Sequence, residues 1–311
     1  ASRSIRITAP WRSIRDRQPA RESHAVNPRF LSPSQLAAYR RDGFLVLPGL
    51  VDDTRCLALR ERAMELARRH VPEPAQATIF TADGRALHAS DEYFLGSGEA
   101  IRCFFEQDAF DASGRLRTDA HLCLNKLGHA MHDLDPVFDS FSRTAELAAI
   151  AADIGMQAPL LLQSMYIFKQ PRIGGEVICH TDHTYLWTEP PSVVGFWFAI
   201  DDATTENGCM WALPGGHRLP VKARSRLNAA RTASELEVLD PAPYPAEGLV
   251  PLEAERGTLV LLHGALPHLS GPNRSDRPRH AYTLHAIDGV ADYLGDNWLQ
   301  RPTLKLRGFN P

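Results

Sequence analysis

The chain lacks several features that would define its class at once. No apolar run reaches the roughly 18 residues that a membrane-spanning helix requires. Its five cysteines are odd in number, scattered and never spaced C-x-x-C, which disfavours a disulfide framework or a zinc knuckle. A net charge of −3 with a pI near 6.5 provides no basic face for nucleic acid. We therefore expect a soluble intracellular protein of a reducing compartment, the cytoplasm, with neither nucleic acid nor membrane as partner.

Lysine is scarce, and arginine is concentrated near the start. Four of the 34 basic residues are lysines, and seven of the 30 arginines fall in the first 29 positions beside only Asp16 and Glu22. The segment begins without Met and fits a mitochondrial-type targeting sequence, an added remnant or an untargeted basic tail. Pro10 and Pro19 interrupt the amphipathic helix that targeting favours. We expect residues 1–30 to be a disordered extension and 31–311 a single domain.

Helices are predicted at the beginning of that domain. Ser32-Pro33-Ser34-Gln35 combines a capping residue with proline in the first turn, and Gly43 ends the helix. Phe44 to Leu47 follows as a strand. Asp52 or Asp53 caps an amphipathic helix that ends near His70. Another long helix is predicted from about Pro136 to Ile154.

The pattern changes after Pro159, where short runs of β-branched, aromatic and aliphatic residues are bounded by Gly, Pro and Asn. Six of them are predicted to be strands: Leu160 to Lys169, Val193 to Ile200, Cys209 to Leu213, Leu249 to Leu252, Thr258 to His263 and Arg279 to Ala286. Helices followed by strands indicate a mainly β fold with a helical annex. We expect a double-stranded β-helix, or jelly roll, over about 159–290 with N-terminal helices as a cover over about 31–158. Arg218 to Gly248 is predicted to be a surface insertion, helical around Ala229 to Leu239.

Three side chains have the chemistry of a metal site. His180 and Asp182 form a His-x-Asp pair after Gly174-Gly175, at the end of an apolar strand, where residues i and i+2 share a face. Such a pair arises by chance in a chain with 13 histidines, but His268 has a comparable position just past the strand Thr258 to His263. Two imidazoles and one carboxylate leave metal positions open for a bidentate cosubstrate and O2, as in non-haem Fe(II) oxygenases.

Arg279 follows His268 by eleven residues and offers a planar, permanently charged fork for the far carboxylate of such a cosubstrate. The apolar residues after it predict that its head points into the barrel, where a guanidinium must be paired. Other interpretations stay open: His268 as a structural loop histidine, Arg279 as a surface arginine, and a different histidine as ligand. The competing histidines are His183, His217, His263, His280 and His285.

Longer stretches resemble one family. They are LSPSQL with DGFLVLPG (31–49), YFLGSGEAIRCFFE (93–106), NKLGHAMHDLDPVF (125–138), QSMYIFKQPRIGGEV (163–177), HTDHTYLWTEP (180–190), ENGCMWALPGGH (206–217) and NWLQ (297–300). In this order they resemble the phytanoyl-CoA dioxygenase superfamily of Fe(II)/2-oxoglutarate oxygenases. The similarity is greatest to the branch of phytanoyl-CoA dioxygenase domain-containing proteins.

The resemblance implies a double-stranded β-helix with iron held by His180, Asp182 and His268, and with the far carboxylate of 2-oxoglutarate bound by Arg279. It also implies that Lys126, Met165 and Trp197 line the cosubstrate or iron site. From their pattern alone, Lys126 would be a solvated loop charge, and the other two would be core residues on strands. The family's Pro-Gly-Ser-His turn is Pro214-Gly215-Gly216-His217 here, without the hydroxyl.

The implied reaction is hydroxylation of an unactivated C–H bond with release of succinate and CO2. Its partners are a small-molecule or acyl substrate, 2-oxoglutarate and O2, with Fe(II) as cofactor and ascorbate as an assay additive; the oligomeric state is open. Asp182 excludes the halogenases of the superfamily, which lack this carboxylate. Two alternatives remain, a cupin-like Zn or Mn hydrolase or isomerase and a non-catalytic jelly-roll binding protein. For a CoA ester, the candidate basic contacts are Arg102, Arg172, Arg218 and Arg224.

Overall fold

The computed structural model describes residues 30–72, 78–80 and 92–310, so the predicted extension 1–30 lies almost entirely outside the described residues. Its α-helices are α1 (Pro33–Asp42), α2 (Asp53–His70), α3 (Glu92–Leu95), α4 (Met131–Leu134), α5 (Pro136–Ser142) and α6 (Ala145–Asp153). Short 3-10 turns occur at Gly96–Glu99, Gln107–Ala109, Ala120–Leu122, Asp182–Thr184 and Gly216–Arg218. No helix in the described part is both long and apolar enough to cross a membrane.

The first two helices begin and end where their capping residues predict. Ser32 accepts a hydrogen bond from the backbone N–H of Gln35, whose side chain reciprocates, and Gly43 ends α1 with a φ of 82°. Asp52 caps α2 by accepting from the N–H of Arg55. These local hydrogen bonds satisfy backbone groups that a helix end leaves unpaired.

The predicted helix from Pro136 to Ile154 is wrong as one element, because it is interrupted at Arg143 (φ −123°, ψ 82°). Thr144 then caps α6 by accepting from the N–H of Leu147. The Arg143 side chain is buried and ion-paired with Asp133 at 2.6 Å. A capping threonine and an inward-turned arginine therefore divide a segment whose apolar periodicity is continuous.

The strands form two main sheets and two short ribbons. They are β1 (Phe44–Leu47), β2 (Ile79–Phe80), β3 (Ile101–Glu106), β4 (Leu124–His129), β5 (Pro159–Ile167), β6 (Val177–His180), β7 (Thr188–Glu189), β8 (Val194–Ala199), β9 (Met210–Ala212), β10 (Ala223–Leu227), β11 (Ser234–Val238), β12 (Val250–Leu252), β13 (Leu259–His263), β14 (His268–Ser270), β15 (Ala281–Asp288) and β16 (Asp292–Tyr293). The major sheet has the order β1-β13-β8-β15-β5-β4-β3-β2 and the minor sheet β12-β9-β14-β6. The mainly β fold with a jelly-roll core is confirmed, and the predicted helical cover over about 31–158 also supplies four strands, β1 to β4, to the major sheet.

Successive side chains on the strands of the major sheet point to opposite faces, and the two faces have different surroundings. On β8, Phe196 and Phe198 belong to the large apolar cluster that includes residues of α1 and α2. Trp197, between them, packs in a second cluster with minor-sheet residues such as Met210 and Leu252. One face of the major sheet is thus covered by helices, and the other faces the minor sheet.

The helix predicted around Ala229 to Leu239 is wrong. The segment is a hairpin in which β10 pairs with β11, with Arg224 opposite Glu237 and Arg226 opposite Glu235. Cross-strand pairs of opposite charge stabilise such a ribbon, and alanines at 229 and 230 lie in its turn.

Candidate metal and cosubstrate site

Strand pairing brings the two predicted histidine ligands together. β14 runs antiparallel to β6, and His268 is the direct cross-strand partner of His180. The imidazole centroids lie 4.4 Å apart. Residues 88 positions apart in the chain therefore share one point of the minor sheet, facing the major sheet.

Asp182 completes the group, although not from the strand on which we expected it. β6 ends at His180, and Asp182 begins the 3-10 turn Asp182–Thr184. Its Oδ1 lies 3.9 Å from His180 Nε2 and 3.8 Å from His268 Nε2. Within the part of the chain that the structure describes, these three residues are the one cluster of potential ligands that converges, with ligand atoms within 4.8 Å of one another.

Backbone carbonyls orient both imidazoles. His180 Nδ1 lies 2.8 Å from the carbonyl oxygen of Ile178, and His268 Nδ1 lies 3.0 Å from that of Leu266. A carbonyl can only accept, so each Nδ1 carries a proton, and in the neutral ring the lone pair is then on Nε2, the nitrogen that lies nearer Asp182. Burial, reinforced by His268, lowers the pKa of His180 to about 4. A neutral imidazole is the form that binds a metal.

The carboxylate of Asp182 is ionised by its surroundings. Burial alone would raise its pKa, but the imidazoles of His285, His268 and His180 together hold the pKa below its usual range. His285, on β15, places Nε2 3.3 Å from Asp182 Oδ2. It therefore lies within ion-pair distance of the oxygen that is turned away from the two predicted ligands.

A cavity of about 230 Å³ lies between the sheets and contains the whole predicted site. Its wall includes all seven residues named from the sequence: Lys126, Met165, His180, Asp182, Trp197, His268 and Arg279. The minor sheet supplies the histidines, while β4, β5 and β8 supply Lys126, Met165 and Trp197. Their grouping follows from register, since Thr283 on β15 lies between Met165 and Trp197 as cross-strand partner of both.

Arg279 lies just before β15 rather than at the start of the strand, and it is 2% exposed. Nε donates to the carbonyl of Gly208 at 3.2 Å, and Nη2 donates to Ser270 Oγ at 3.3 Å. Nη1 is buried and has no hydrogen-bond partner among the described residues. Burial lowers the guanidinium pKa to about 10. One edge of a buried cation thus remains available to an anion.

Lys126 is buried rather than solvated, with 7% of its surface exposed. Burial lowers its pKa to about 7, although the carboxylate of Glu106 acts in the opposite direction. Trp197 is 3% exposed, and its ring lies 5.5 Å from the Arg279 guanidinium carbon. The cavity region beside Arg279 therefore combines cationic and apolar walls.

The opposite region of the cavity is aromatic. Phe94 and Trp298 stack with centroids 4.4 Å apart and line it together with Tyr185 and Leu186. Tyr166, Phe168 and Phe196 are not part of this lining, because they belong to the helix-covered cluster. The predicted surface insertion also contributes, since Ser225 and Ser234 of its hairpin line the cavity.

Of the five competing histidines, His285 lines the cavity and the other four do not. The ring of His183 packs on Trp187 with centroids 4.4 Å apart. His217 and His263 face each other at 5.1 Å, and His280 Nδ1 lies 2.9 Å from Tyr166 Oη. The sequence could not separate these histidines from the converging pair without the strand register.

The four arginines considered for a CoA ester all contact groups of the protein itself. Arg102 donates to the carbonyl of Tyr93, Arg172 pairs with Asp276 at 2.6 Å, Arg218 donates to the carbonyl of Arg40 at 2.8 Å, and Arg224 pairs with Asp296 at 2.5 Å. A polyanionic ester would have to compete with these contacts.

A jelly roll that encloses two imidazoles and one carboxylate is the arrangement of the non-haem Fe(II) oxygenase class. The sequence profile of phytanoyl-CoA dioxygenase matches residues 39–281, and the chain belongs to this family. It is 42% identical over 282 residues to phytanoyl-CoA dioxygenase domain-containing protein 1 of Bos taurus, covering 89% of this chain and 97% of the bovine protein.

Two solved structures have the same fold. The non-heme alpha ketoglutarate dependent carbocyclase SnoK from nogalamycin biosynthesis aligns with a TM-score of 0.59 and 22% identity, over 85% of this chain and 86% of that one. The epimerase SnoN, solved in complex with Fe3+, alpha ketoglutarate and nogalamycin RO, aligns with a TM-score of 0.58 and 18% identity, over 89% and 94%.

Proposed function

We propose that the protein is an Fe(II)/2-oxoglutarate-dependent dioxygenase that hydroxylates an unactivated C–H bond of a small-molecule or acyl substrate. One observation carries the proposal. The two-histidine, one-carboxylate group and a buried guanidinium with an unpaired edge line the same cavity. The first binds a metal with open positions, and the second binds the far end of a dicarboxylate.

His180, Asp182 and His268 would hold the iron. Their donor atoms suit it because the backbone carbonyls contact Nδ1 of both histidines, which leaves both Nε2 atoms for the metal, and because the Asp182 carboxylate is ionised. Bound iron with 2-oxoglutarate and O2 supplies the oxidant for the C–H bond, with release of succinate and CO2. The residues of this chain supply the geometry: the Ile178 and Leu266 carbonyls orient the two rings, and His285 lies against the Asp182 carboxylate.

Arg279 and Lys126 would bind 2-oxoglutarate. The unpaired Nη1 of Arg279 can donate a charge-assisted hydrogen bond, and a second charge at Lys126 is compatible with a dianion. Trp197 and Met165 would form an apolar wall of the cavity between the sheets and exclude water from the bound 2-oxoglutarate. Substrate would then occupy the aromatic region lined by Phe94 and Trp298.

The internal contacts of Arg102, Arg172, Arg218 and Arg224 favour a substrate without a polyphosphate group. The aromatic and aliphatic lining favours an apolar body. We further propose an intracellular location, which is supported by the five unpaired cysteines.

A cupin-like Zn or Mn hydrolase explains the ligands but leaves the buried Arg279 edge without a function. A non-catalytic binding protein could use that edge for an anion but leaves the converging ligand set without a function. The test is anaerobic reconstitution with Fe(II), Zn(II) or Mn(II), followed by measurement of 2-oxoglutarate consumption and succinate release in air with ascorbate. We expect turnover with Fe(II) alone and its loss in Asp182→Ala, but not in the control Asp276→Ala, whose carboxylate is 82% exposed. Absence of succinate across a substrate panel, together with hydrolysis supported by Zn(II), would contradict the oxygenase assignment.

A further inference from the structure

A second lysine, Lys169, lies in the cavity wall. Lys169 follows the end of β5 and is 2% exposed, although a buried ammonium is costly unless it is paired. Nζ donates to the carbonyl of Gly175 at 2.6 Å. An ammonium has three N–H donors, so this contact uses one of them.

Lys169 and Arg279 are neighbours across Gly208. The Gly208 carbonyl accepts from Arg279 Nε at 3.2 Å, and a Cβ on Gly208 would lie 2.8 Å from Lys169 Cε. The backbone is joined as well, because the N–H of Arg279 donates to the carbonyl of Lys169 at 3.3 Å. Burial lowers the pKa of Lys169 to about 7, and repulsion from Arg279 contributes next. Two cations are thus held side by side.

Glu106 offsets part of this charge and holds the same loop. It is 1% exposed, and its Oε2 accepts from the N–H of Gly175 at 3.1 Å. The Gly175 residue is therefore fixed from both sides, its N–H by Glu106 and its carbonyl by Lys169. Lys169 and Arg279 are both cations of the cavity wall, and the Glu106 carboxylate attracts both of them.

We propose that Lys169 is a second cationic contact for the distal carboxylate of the cosubstrate, beside Arg279, and that Glu106 positions it through Gly175. This rests on the proposed function, because it names a further residue of the same site. The distal carboxylate of a dicarboxylate matches a place where the Lys169 ammonium and the Arg279 guanidinium lie side by side. The competing explanation is that Lys169 only anchors the loop that leads from Gly175 into β6 and His180.

The two explanations differ in whether the effect of Lys169 on ligand binding depends on the distal carboxylate of the ligand. The experiment measures dissociation constants of the Fe(II)-loaded protein under anaerobic conditions for two keto acids, 2-oxoglutarate and 2-oxopentanoate, which carries a methyl group in place of the distal carboxylate. Lys169→Met should weaken 2-oxoglutarate binding roughly 10- to 100-fold, the equivalent of one charge-assisted hydrogen bond. Binding of 2-oxopentanoate and of Fe(II) should not change.

Lys169→Gln is the second variant, since its amide keeps an N–H for Gly175 while removing the charge, and it should show the same selective loss. Lys305→Met is the control, because Lys305 is exposed. Equal weakening of both keto acids with weaker Fe(II) binding would overturn the proposal in favour of a loop anchor, and unchanged 2-oxoglutarate binding would also overturn it. A wild-type protein that binds neither keto acid would instead contradict the oxygenase assignment itself.

Discussion

Replacement of Lys126 by methionine should stabilise the metal-free protein while impairing its binding of 2-oxoglutarate. Burial in the cavity wall takes the lysine pKa from its usual 10.5 to about 7, with Glu106 opposing the effect. Folding therefore disfavours the charged form of Lys126, and below about pH 7 the folded protein carries that charge at a cost in stability. Methionine has a similar length and no charge to bury.

The magnitude follows from the pKa difference between the unfolded and folded states. A fall from 10.5 to about 7 corresponds to roughly 5 kcal/mol at most. Between pH 7 and 10.5 the unfolded chain binds a proton that the folded protein does not, so wild-type stability rises with pH relative to the variant. The penalty is complete below pH 7 and decreases by about 1.4 kcal/mol per pH unit above it.

Urea unfolding of metal-free wild type and Lys126→Met at intervals from pH 6 to pH 10 measures this directly. We expect the variant to be more stable by several kcal/mol, about 5 at most, at pH 6 and the two free energies to converge toward pH 10. Lys305→Met, at an exposed position, should follow the wild type throughout. A stability difference that does not depend on pH, or a variant less stable than wild type at pH 6, would refute the reasoning.

Three other substitutions test the site. Arg279→Met removes a buried charge with one unpaired edge and should weaken 2-oxoglutarate binding by about 2–5 kcal/mol, roughly 30-fold or more; unchanged calorimetric affinity would refute its role. His268→Ala should weaken Fe(II) binding by more than about 100-fold and abolish succinate formation, and retained activity in an Fe(II) titration would exclude it as a ligand. Gly208→Ala should lower the melting temperature and the cosubstrate affinity, because the residue has a φ of 83° and an added Cβ would lie 2.6 Å from the Gly271 carbonyl oxygen. Gly114→Ala is the control: its φ is 78° but its Cβ would meet open space, so only backbone strain of about 1 kcal/mol is expected. Equal effects of the two substitutions would show that the contacts at Gly208 do not matter.

The parts of the fold that the sequence predicted are those determined by neighbouring residues. The caps Ser32 and Asp52 form hydrogen bonds within three positions, and the strand Phe44–Leu47 was located from composition alone. The β10–β11 hairpin was missed because its stability comes from cross-strand pairs such as Arg226 with Glu235, which are polar and nine positions apart. Alanines in its turn gave a local helix signal that tertiary pairing overrides.

In the candidate site, too, the sequence predicts the types of the residues but not the strand register that brings them together. The sequence predicted His180, Asp182 and His268 as ligands because few residue types bind a metal. Only the pairing of β6 with β14 distinguishes His268 from the other histidines His263 and His280. Lys169 and Glu106 were not predicted, and His285 was named only as a competing ligand, because the residues around these three do not mark their side chains as part of one buried cavity. One signal was present. In a chain with 30 arginines and four lysines, two of the lysines line the cavity, and a lysine gives up its proton on burial far more readily than an arginine does. The cosubstrate region thus contains two cations whose charge depends on the ligand and one, Arg279, whose charge does not.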